Sequence, residues 1–112
     1  MNDRCVMYLA GPMGGKNQYN RPEFNKAEEI LEKDYIVINP AKLPIGMMPD
    51  DYMPICLQMV RTADAVCLLE GWRYSVGAKL EKAYADYRGI PVFELKNGEL
   101  REAQDWEADD AQ

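Results

Sequence analysis

The sequence predicts a single α/β domain of three layers, in which helices cover both faces of a parallel sheet of four to five strands. Short, continuously apolar runs alternate with segments whose apolar residues recur at helical spacing, and this alternation is typical of right-handed βαβ units. The 112 residues, 47% of them hydrophobic, suffice for one core and leave no room for a second folded domain. We therefore assign residues 1–112 to one domain, whose last part, from about residue 98, is an acidic tail.

The first part of the chain contains two predicted strands and one predicted helix. Residues 5–10 form a continuous apolar run, which predicts a strand buried on both faces. Asn20 is suited to cap a helix that has Pro22 near its first position, and helical spacing continues to about Lys33. Residues 35–38 are rich in β-branched side chains and predict the second strand.

A connection rich in proline and methionine separates this part from a second strand and helix series. Helical spacing predicts the second helix over residues 51–62, with Pro54 in its first turn. Residues 65–69 are apolar and predict the third strand. Residues 75–87 then predict the third helix, and residues 90–93 predict the fourth strand.

The secondary structure of the residues after Asn97 is the least clearly predicted part of the chain. Leu100, Ala103 and Trp106 have helical spacing, but the charge of this segment leaves two alternatives, a docked helix or a frayed tail. The remaining strands and helices alternate as in Rossmann/flavodoxin-like folds. In such folds ligands bind at the carboxyl ends of the strands, so we look for a site there.

Charge and hydropathy exclude several classes of function. Six acidic residues and one arginine place −5 of the formal net charge of −6 after residue 98, so the body of the chain is nearly neutral. A nucleic-acid polymer binder is expected to carry a basic face, and no Lys/Arg cluster supplies one. No apolar stretch approaches the roughly 20 residues that span a bilayer, and no signal-peptide pattern follows Arg4. We expect a cytoplasmic protein that binds neither nucleic-acid polymers nor membranes.

The histidine and cysteine content limits the chemistry further. The chain has no histidine, which excludes a Ser-His-Asp triad, a histidine base and a histidine-ligated metal. Cys5, Cys56 and Cys67 are far apart and odd in number, which argues against a zinc site and a disulfide framework. We expect no metal and no other cofactor, and chemistry from carboxylate, hydroxyl or thiol groups. Because a short chain has little core to give up to a pocket, we also expect a homodimer or higher homo-oligomer.

The loop after the first strand offers flexible backbone where a ligand would meet the sheet. Gly11, which Pro12 and Met13 follow, would let a sugar or phosphate approach closely. The loop has neither the GxGxxG fingerprint nor a Walker A motif, so a tight turn without a ligand is an equal alternative. Tyr8, in the strand before the loop, is equally well explained as a core aromatic.

The segment from residue 71 to residue 81 carries the stronger chemical signal. Ser75 is a natural N-cap at a strand-to-helix junction, where backbone amides and the helix dipole favour an anion. Gly77 and Ala78 share the helix face of Glu81 and leave space above its carboxylate. The alternative for Glu81 is a surface ion pair with one of three cations: Lys82, Lys79 or Arg73.

Three further polar residues are candidates, each with a structural alternative. Asp64, ahead of the third strand, is otherwise a solvated loop carboxylate. Tyr19 and Arg21 otherwise flank the start of a helix. None of the three indicates a ligand by itself.

The order and spacing of these motifs resemble a bacterial and phage family of unknown function related to nucleoside 2-deoxyribosyltransferase and to 2'-deoxynucleoside 5'-phosphate N-hydrolase. The resemblance covers about residues 6 to 94. The motifs that carry it are Tyr8 to Met13, Tyr19 to Pro22 with Phe24, Asn39 to Ala41, Asp51 to Met53, Asp64, Gly71-Trp72, Ser75, Gly77-Ala78 and Glu81.

The resemblance implies a reaction and the residues that perform it. Glu81 would attack the anomeric carbon of the sugar and displace the base, and the glycosyl-enzyme would pass to water or to another base. A carboxylate suits this task because the transition state resembles an oxocarbenium ion. Tyr8 would line the pocket, and Ser75 would host a 5'-phosphate, which favours nucleotide hydrolysis over base exchange. The substrate-binding set it implies is Gly11, Pro12, Met13, Tyr19, Arg21, Tyr52, Cys56, Asp64, Trp72, Ser75 and Gly77.

One position departs from the family pattern. The related enzymes carry an aspartate eight residues before the position of Asp64, where it contacts the departing base, and here Cys56 stands in its place. A thiol is a poor acid for a nucleobase nitrogen, so another group would have to serve, unless Cys56 is simply a core residue. Tyr52, Asp50 and Asp51 are the candidates. We hypothesise that Tyr52, one helical turn before Cys56, faces the same pocket.

Three functions follow from these observations. The first is the N-glycosidic enzyme acting on a small-molecule nucleoside or nucleotide. The second is a nucleotide-binding or sensing module that has lost the chemistry, for which Cys56 is the best argument. The third is an interaction protein that uses the acidic tail and Trp106, which leaves the Ser75 to Glu81 spacing unexplained.

Overall fold

The computed structural model describes residues 4–14 and 17–103. Short 3-10 helices at Asn17–Asn20, Pro40–Lys42 and Trp72–Tyr74 precede or follow the longer elements. The longer elements are β1 (Val6–Ala10), α1 (Arg21–Leu31), β2 (Ile36–Ile38), α2 (Pro49–Thr62), β3 (Ala65–Leu68), α3 (Val76–Arg88), β4 (Val92–Lys96) and β5 (Glu99–Glu102).

The five strands form one sheet in the order β2-β1-β3-β4-β5. The first four strands are parallel to one another, and β5 pairs antiparallel with β4. This order is the flavodoxin-like one, with its topological switch point between β1 and β3. The predicted α/β class with a mostly parallel sheet is confirmed.

The two faces of the sheet carry separate apolar layers, because successive side chains of a strand point to opposite faces. Met7 and Leu9 pack with Phe24 and other buried residues of α1. Tyr8 and Ala10 point to the other face and pack with buried residues of α2 and α3. The sheet is therefore the middle of three layers, with α1 on one side and α2 and α3 on the other.

The prediction for the residues after Asn97 is wrong as far as the structure describes them. Residues 99–102 form β5, and the connection from β4 places Asn97 at φ 52° and Gly98 at φ 80°. Asn-Gly is the pair that favours a two-residue hairpin turn with positive φ at both positions. The turn preference of Asn97-Gly98 therefore determines the structure here, and the helical spacing of the following residues does not. Trp106 and the rest of the acidic tail lie outside the described residues.

The second helix begins earlier than its apolar spacing suggested. Its first residue is Pro49, so Pro54 is the sixth residue and lies inside the helix instead of in its first turn. A proline there has no N–H for the carbonyl of Asp50, four residues before it, which weakens the start of the helix.

The third helix starts as predicted. Ser75 is its N-cap, and the Ser75 Oγ accepts a hydrogen bond of 3.1 Å from the Ala78 N–H. Gly89 ends the helix in the left-handed conformation, at φ 75°, which glycine adopts without a steric penalty.

The first helix starts at Arg21, after Asn20, but Asn20 does not cap it with its side chain. Instead Asn20 has φ 60°, and its amide donates a 2.8 Å hydrogen bond to the carbonyl of Pro12. This bond ties the start of α1 to the loop after β1.

Across residues 4–14 and 17–103, the helices are too short or too polar for any of them to span a bilayer.

Candidate active site

Three polar side chains from three different elements meet in the apolar layer between the sheet and the helices α2 and α3. They are Tyr8 of β1, Cys56 of α2 and Glu81 of α3, which we call the Glu81 cluster. Tyr8 is fully buried, Cys56 is nearly so, and Glu81 is only 6% exposed. Burial of a carboxylate costs free energy that an exposed glutamate would avoid. The buried position of Glu81 therefore indicates a role other than that of a solvated surface charge.

The environment shifts the pKa of Glu81 strongly. Burial raises the pKa of this carboxyl from its ordinary value of 4.5 to about 7, although hydrogen bonding with Tyr8 and with Cys56 opposes the rise. Removal from water disfavours the charged form, while donors facing the carboxylate favour it. Glu81 therefore titrates in the neutral range, where it can act as a base, an acid or a nucleophile.

The other two members of the cluster stay protonated at neutral pH. Burial raises the pKa of the Cys56 thiol to about 11. Burial, followed by the nearby charge of Glu81, raises the pKa of the Tyr8 hydroxyl well above 10. Both groups are therefore hydrogen-bond donors toward Glu81, not ionised nucleophiles.

The Tyr8 hydroxyl is close enough to Glu81 and Cys56 to influence both pKa values. Even so, among the residues that the structure describes, this buried hydroxyl has no hydrogen bond of regular geometry. Buried polar groups in proteins are nearly always satisfied, so an exception marks a functional candidate.

The surface alternative for Glu81 is wrong. Lys82 is itself buried, and its ammonium donates to Asp86 at 2.7 Å. The Arg73 guanidinium lies 3.6 Å from the carboxylate of Glu94, and Lys79 is exposed. Glu81 instead faces inward, toward Tyr8 and Cys56.

The space above Gly77 is occupied by a residue of α2. A Cβ at Gly77 would lie 3.2 Å from the Met53 Cε, so the missing side chain makes room for that methionine. Ala78, the other small residue of the motif, is buried in the core. Met53 is flexible and unbranched, so a ligand that entered here would displace a side chain and not the backbone.

Tyr52 does not face Glu81, so the hypothesis that it shares this pocket is wrong. Its hydroxyl donates to the carbonyl of Pro44 and accepts a 3.3 Å hydrogen bond from the Met47 N–H. Tyr52 thus fixes the loop that precedes α2. Asp50 and Asp51, its neighbours in the first turn of α2, are exposed.

Asp64 lies at the amino ends of β1 and β3, whereas ligands of this fold class bind at the carboxyl ends. Its carboxylate accepts a 2.9 Å hydrogen bond from the Val6 N–H, and its own N–H donates to the Val6 carbonyl at 2.8 Å. Asp64 therefore joins the two strand starts and is not part of the site.

The loop after β1 packs against the loop after β3. A Cβ at Gly11 would lie 2.9 Å from the Leu69 Cβ, and a Cβ at Gly71 would lie 3.2 Å from the Pro12 Cγ. Met13 packs with the apolar layer on the α1 side of the sheet. Close packing thus explains Gly11 and Pro12, in agreement with the tight-turn alternative, and Met13 does not lie with Glu81.

Tyr19 and Arg21 also belong to the α1 side. Tyr19 is half exposed, at the turn before α1. Arg21 lines an open groove of about 380 Å³ with Asn25, Glu28, Glu29, Glu32 and Lys42. The sheet separates this groove from the face on which Glu81 lies, so neither residue is brought to the cluster.

A second buried polar group, which sequence reasoning missed, lies near Trp72. The Glu94 carboxylate is buried and accepts a 3.2 Å hydrogen bond from the Trp72 Nε1, with Arg73 at 3.6 Å and Arg101 at 3.5 Å. Of these residues, Trp72, Arg73 and Glu94 line a cavity of about 50 Å³ at the carboxyl ends of β3 and β4. The signal in the sequence was a glutamate directly after the apolar residues that begin β4.

The polar contacts of Trp72 are with Glu94 and Arg73, not with the Glu81 cluster. It is buried, and the guanidinium of Arg73 lies 4.8 Å from the centre of its ring.

Within the described ranges, no three His, Cys, Asp or Glu side chains are grouped so that they could hold a metal ion. Of the residues that sequence reasoning selected, the structure therefore groups Tyr8, Cys56 and Glu81, with Ser75 and Gly77 on the same helix as Glu81.

Comparison with known proteins places this cluster inside a recognised domain. The model of a family described as a domain of unknown function (DUF4406) matches residues 5–94. The matched range contains all three members of the Glu81 cluster and the N-cap Ser75. No curated protein matches the chain.

Proposed function

The chain belongs to the DUF4406 family, and we propose that it cleaves the N-glycosidic bond of a nucleoside or a nucleoside 5'-monophosphate through Glu81. The observation that carries the proposal is the burial of Glu81 beside the hydroxyl of Tyr8, which together place its pKa at about 7. A carboxylate in an apolar layer is poorly solvated, and a developing positive charge on a sugar would stabilise it.

In the proposed reaction, a carboxylate oxygen of Glu81 bonds to the anomeric carbon as the carbon–nitrogen bond breaks. The electron pair of that bond leaves with the base, which takes up a proton from solvent. Water then attacks the anomeric carbon, releases Glu81 as a carboxylate and returns one proton to solvent. The sum is hydrolysis, and a second base in place of water would make the reaction a transfer.

Tyr8 and Ser75 have supporting parts in this proposal. The Tyr8 hydroxyl, protonated at neutral pH, donates toward Glu81 or toward the sugar and so orients the nucleophile. Ser75 is the N-cap of α3, and its Oγ already bonds the Ala78 N–H. The other amides of the first turn have no intrahelical partner and favour an anion such as a 5'-phosphate. The phosphate contact would favour nucleotides over nucleosides.

A second candidate is a nucleotide-binding module without chemistry, and the Cys56 thiol favours it. With its pKa near 11, this thiol is a weak acid for a departing base. In the described residues, Tyr52, Asp50 and Asp51 do not replace it at the cluster. Such a module would bind nucleotide at the Glu81 cluster without releasing base.

One experiment separates the two candidates. Purified protein is incubated with nucleosides and 5'-monophosphates, free base is followed by chromatography, and melting temperature is measured with each ligand. We expect base release that Glu81→Gln abolishes while binding persists, and that Glu29→Gln, at an exposed position of α1, leaves unchanged. Binding without base release from the unaltered protein would support the module instead.

The proposal also includes a cytoplasmic location, and the three cysteines support it. Cys5, Cys56 and Cys67 are all free thiols. Free thiols persist in a reducing compartment, whereas secreted proteins of this size usually pair them.

A further inference from the structure

The outer face of α3 exposes a row of apolar side chains, Val76, Leu80, Ala83 and Tyr87, which we call the α3 seam. Val76 is 80% exposed, Tyr87 is 86% exposed and Leu80 is 47% exposed. A helix that covers a sheet normally presents polar residues to solvent, so an apolar outer face indicates that another surface covers it.

The seam has the spacing of a two-helix interface. Its residues are separated by four, three and four positions, which is the a/d repeat that lets one helix pack along another. The opposite side of α3 is already used, because Ala78, Glu81, Lys82 and Ala85 are buried against the sheet and its neighbours. The helix therefore has two apolar faces, one inside the domain and one outside.

The charges beside the seam indicate which partner fits. Lys79 and Asp86 are exposed and lie seven residues apart on the same flank of the seam. If a second α3 lies antiparallel, Leu80 meets the partner's Ala83 and Val76 meets the partner's Tyr87. The same arrangement sets Lys79 opposite the partner's Asp86, twice, because a two-fold axis repeats every contact.

We propose that the α3 seam binds a second copy of this chain in an antiparallel, two-fold symmetric pair. Apolar residues form its centre, and the two Lys79–Asp86 pairs form its edge. Asp86 also accepts a hydrogen bond from Lys82 of its own chain. Each edge of the interface therefore contains Lys79 of one copy, Asp86 of the other, and the Lys82 that is paired with that Asp86. The seam covers about three turns of helix, so we expect association that depends on protein concentration.

This inference does not depend on the proposed reaction, because it concerns a surface and is tested by association alone. It does place the partner against the helix that carries Glu81. A pair formed here would hold that helix, and with it the position of the carboxylate, from both sides.

The test uses charge reversal and mixing. Sedimentation velocity over concentrations from low micromolar to about 1 mM would detect a dimer of the full chain. Lys79→Glu and Asp86→Lys each replace two attractive contacts by two repulsive ones, and each should raise the dissociation constant on the order of tenfold. An equal mixture of the two variants restores both attractive contacts, and we expect it to dimerise as the unaltered protein does.

Controls make a negative result decisive. Lys26→Glu, at an exposed position of α1 on the other side of the sheet, should not change association. Thermal unfolding checks that each variant is folded, and Leu80→Glu removes the apolar centre by a separate route. A protein that stays monomeric at every concentration would overturn the proposal. So would a dimer that Leu80→Glu leaves intact, or variants that fail to recover on mixing.

Discussion

Glu81 of α3 and Tyr8 of β1 face each other across the apolar layer between helix and sheet, and each alters the ionisation of the other. The hydroxyl of Tyr8 lowers the pKa of Glu81, against the larger effect of burial, while the charge of Glu81 adds to the burial that raises the pKa of Tyr8. The pair therefore couples a proton equilibrium near neutral pH to the packing of α3 on the sheet.

The first prediction concerns stability as a function of pH. Because the folded-state pKa of Glu81, about 7, lies above its ordinary value of 4.5, the protonated carboxyl stabilises the folded state. This contribution is complete below pH 4.5 and is lost as the pH rises through about 7, by roughly 3 kcal/mol in all. Glu81→Gln should remove this part of the pH dependence in urea denaturation between pH 5 and pH 8.

A matched variant separates this effect from that of the other carboxylates. Glu29→Gln changes an exposed glutamate of α1 and should keep the pH dependence of the unaltered protein. If Glu81→Gln and Glu29→Gln had the same slope of unfolding free energy against pH, Glu81 would not titrate near 7.

The second prediction concerns Tyr8→Phe. Removing the hydroxyl takes away a donor that favours the Glu81 carboxylate, so the pKa of Glu81 should rise above 7. At about pH 5, where Glu81 is protonated in the folded protein, the unfolding free energy should change by less than about 1 kcal/mol, because the hydroxyl then has no carboxylate to stabilise. Carboxyl-carbon NMR titration measures the first effect, and urea denaturation measures the second. Tyr35→Phe, on the α1 side, is the control and should leave the titration of Glu81 unmoved.

The third prediction concerns thiol reactivity. Cys56 and Cys67 are buried, with pKa values raised by burial to about 11 and about 12, so little thiolate exists to react. Cys5 is only partly buried, and its pKa is raised by burial and by Asp64. Alkylation followed by mass spectrometry should modify Cys5 first in the native protein, and all three only in denaturant. Early modification of Cys56 would mean that the Glu81 cluster is open to solvent.

The fourth prediction tests the contact between the loops after β1 and β3. Gly11→Ala places a Cβ 2.9 Å from the Leu69 Cβ, which forces a shift in packed backbone, and should destabilise the fold by about 1–3 kcal/mol. Gly14→Ala meets no atom within 4 Å and serves as the control in the same denaturation experiment. Equal stability of both variants would return Gly11 to the list of ligand-binding candidates.

The fifth prediction concerns the buried carboxylate that the sequence did not reveal. Glu94→Gln keeps an acceptor for the Trp72 Nε1 but removes the charge that faces Arg73 and Arg101. We expect a loss of about 1–3 kcal/mol of unfolding free energy. Glu99→Gln, at an exposed position of β5, should cost much less. The opposite order of the two losses would show that the contacts of Glu94 with Arg73 and Arg101 do not stabilise the fold.

The sequence predicted what depends on local pattern. Apolar runs and helical spacing identified four strands and three helices, because periodicity reflects the face that each element buries. The N-cap at Ser75 was predictable because a serine at that junction needs only its own helix to bond. The inward position of Glu81 followed from its small neighbours once a family pattern drew attention to them.

Most of the failures concern contacts that depend on how the chain folds back on itself and not on a local pattern. Nothing near Tyr52 indicates that its hydroxyl binds the carbonyl of Pro44, because the path of that loop is a tertiary property. The partner of Trp72, Glu94, lies 22 residues away. The strand β5 was missed for a different reason. The Asn97-Gly98 pair is a local signal for a hairpin, but the helical spacing of the residues after it was given more weight.

The positions of β2 and β5 at the two borders of the sheet bear on how the protein resists aggregation. A free border presents unpaired backbone groups to which a strand of another molecule can add. Here one border strand, Ile36–Ile38, is three residues long, and the other places Glu99, Arg101 and Glu102 at exposed positions. A strand so short or so charged is a poor template for growth. The buried, strongly apolar β1 and β3 are kept in the interior of the sheet, where no other chain can reach their edges.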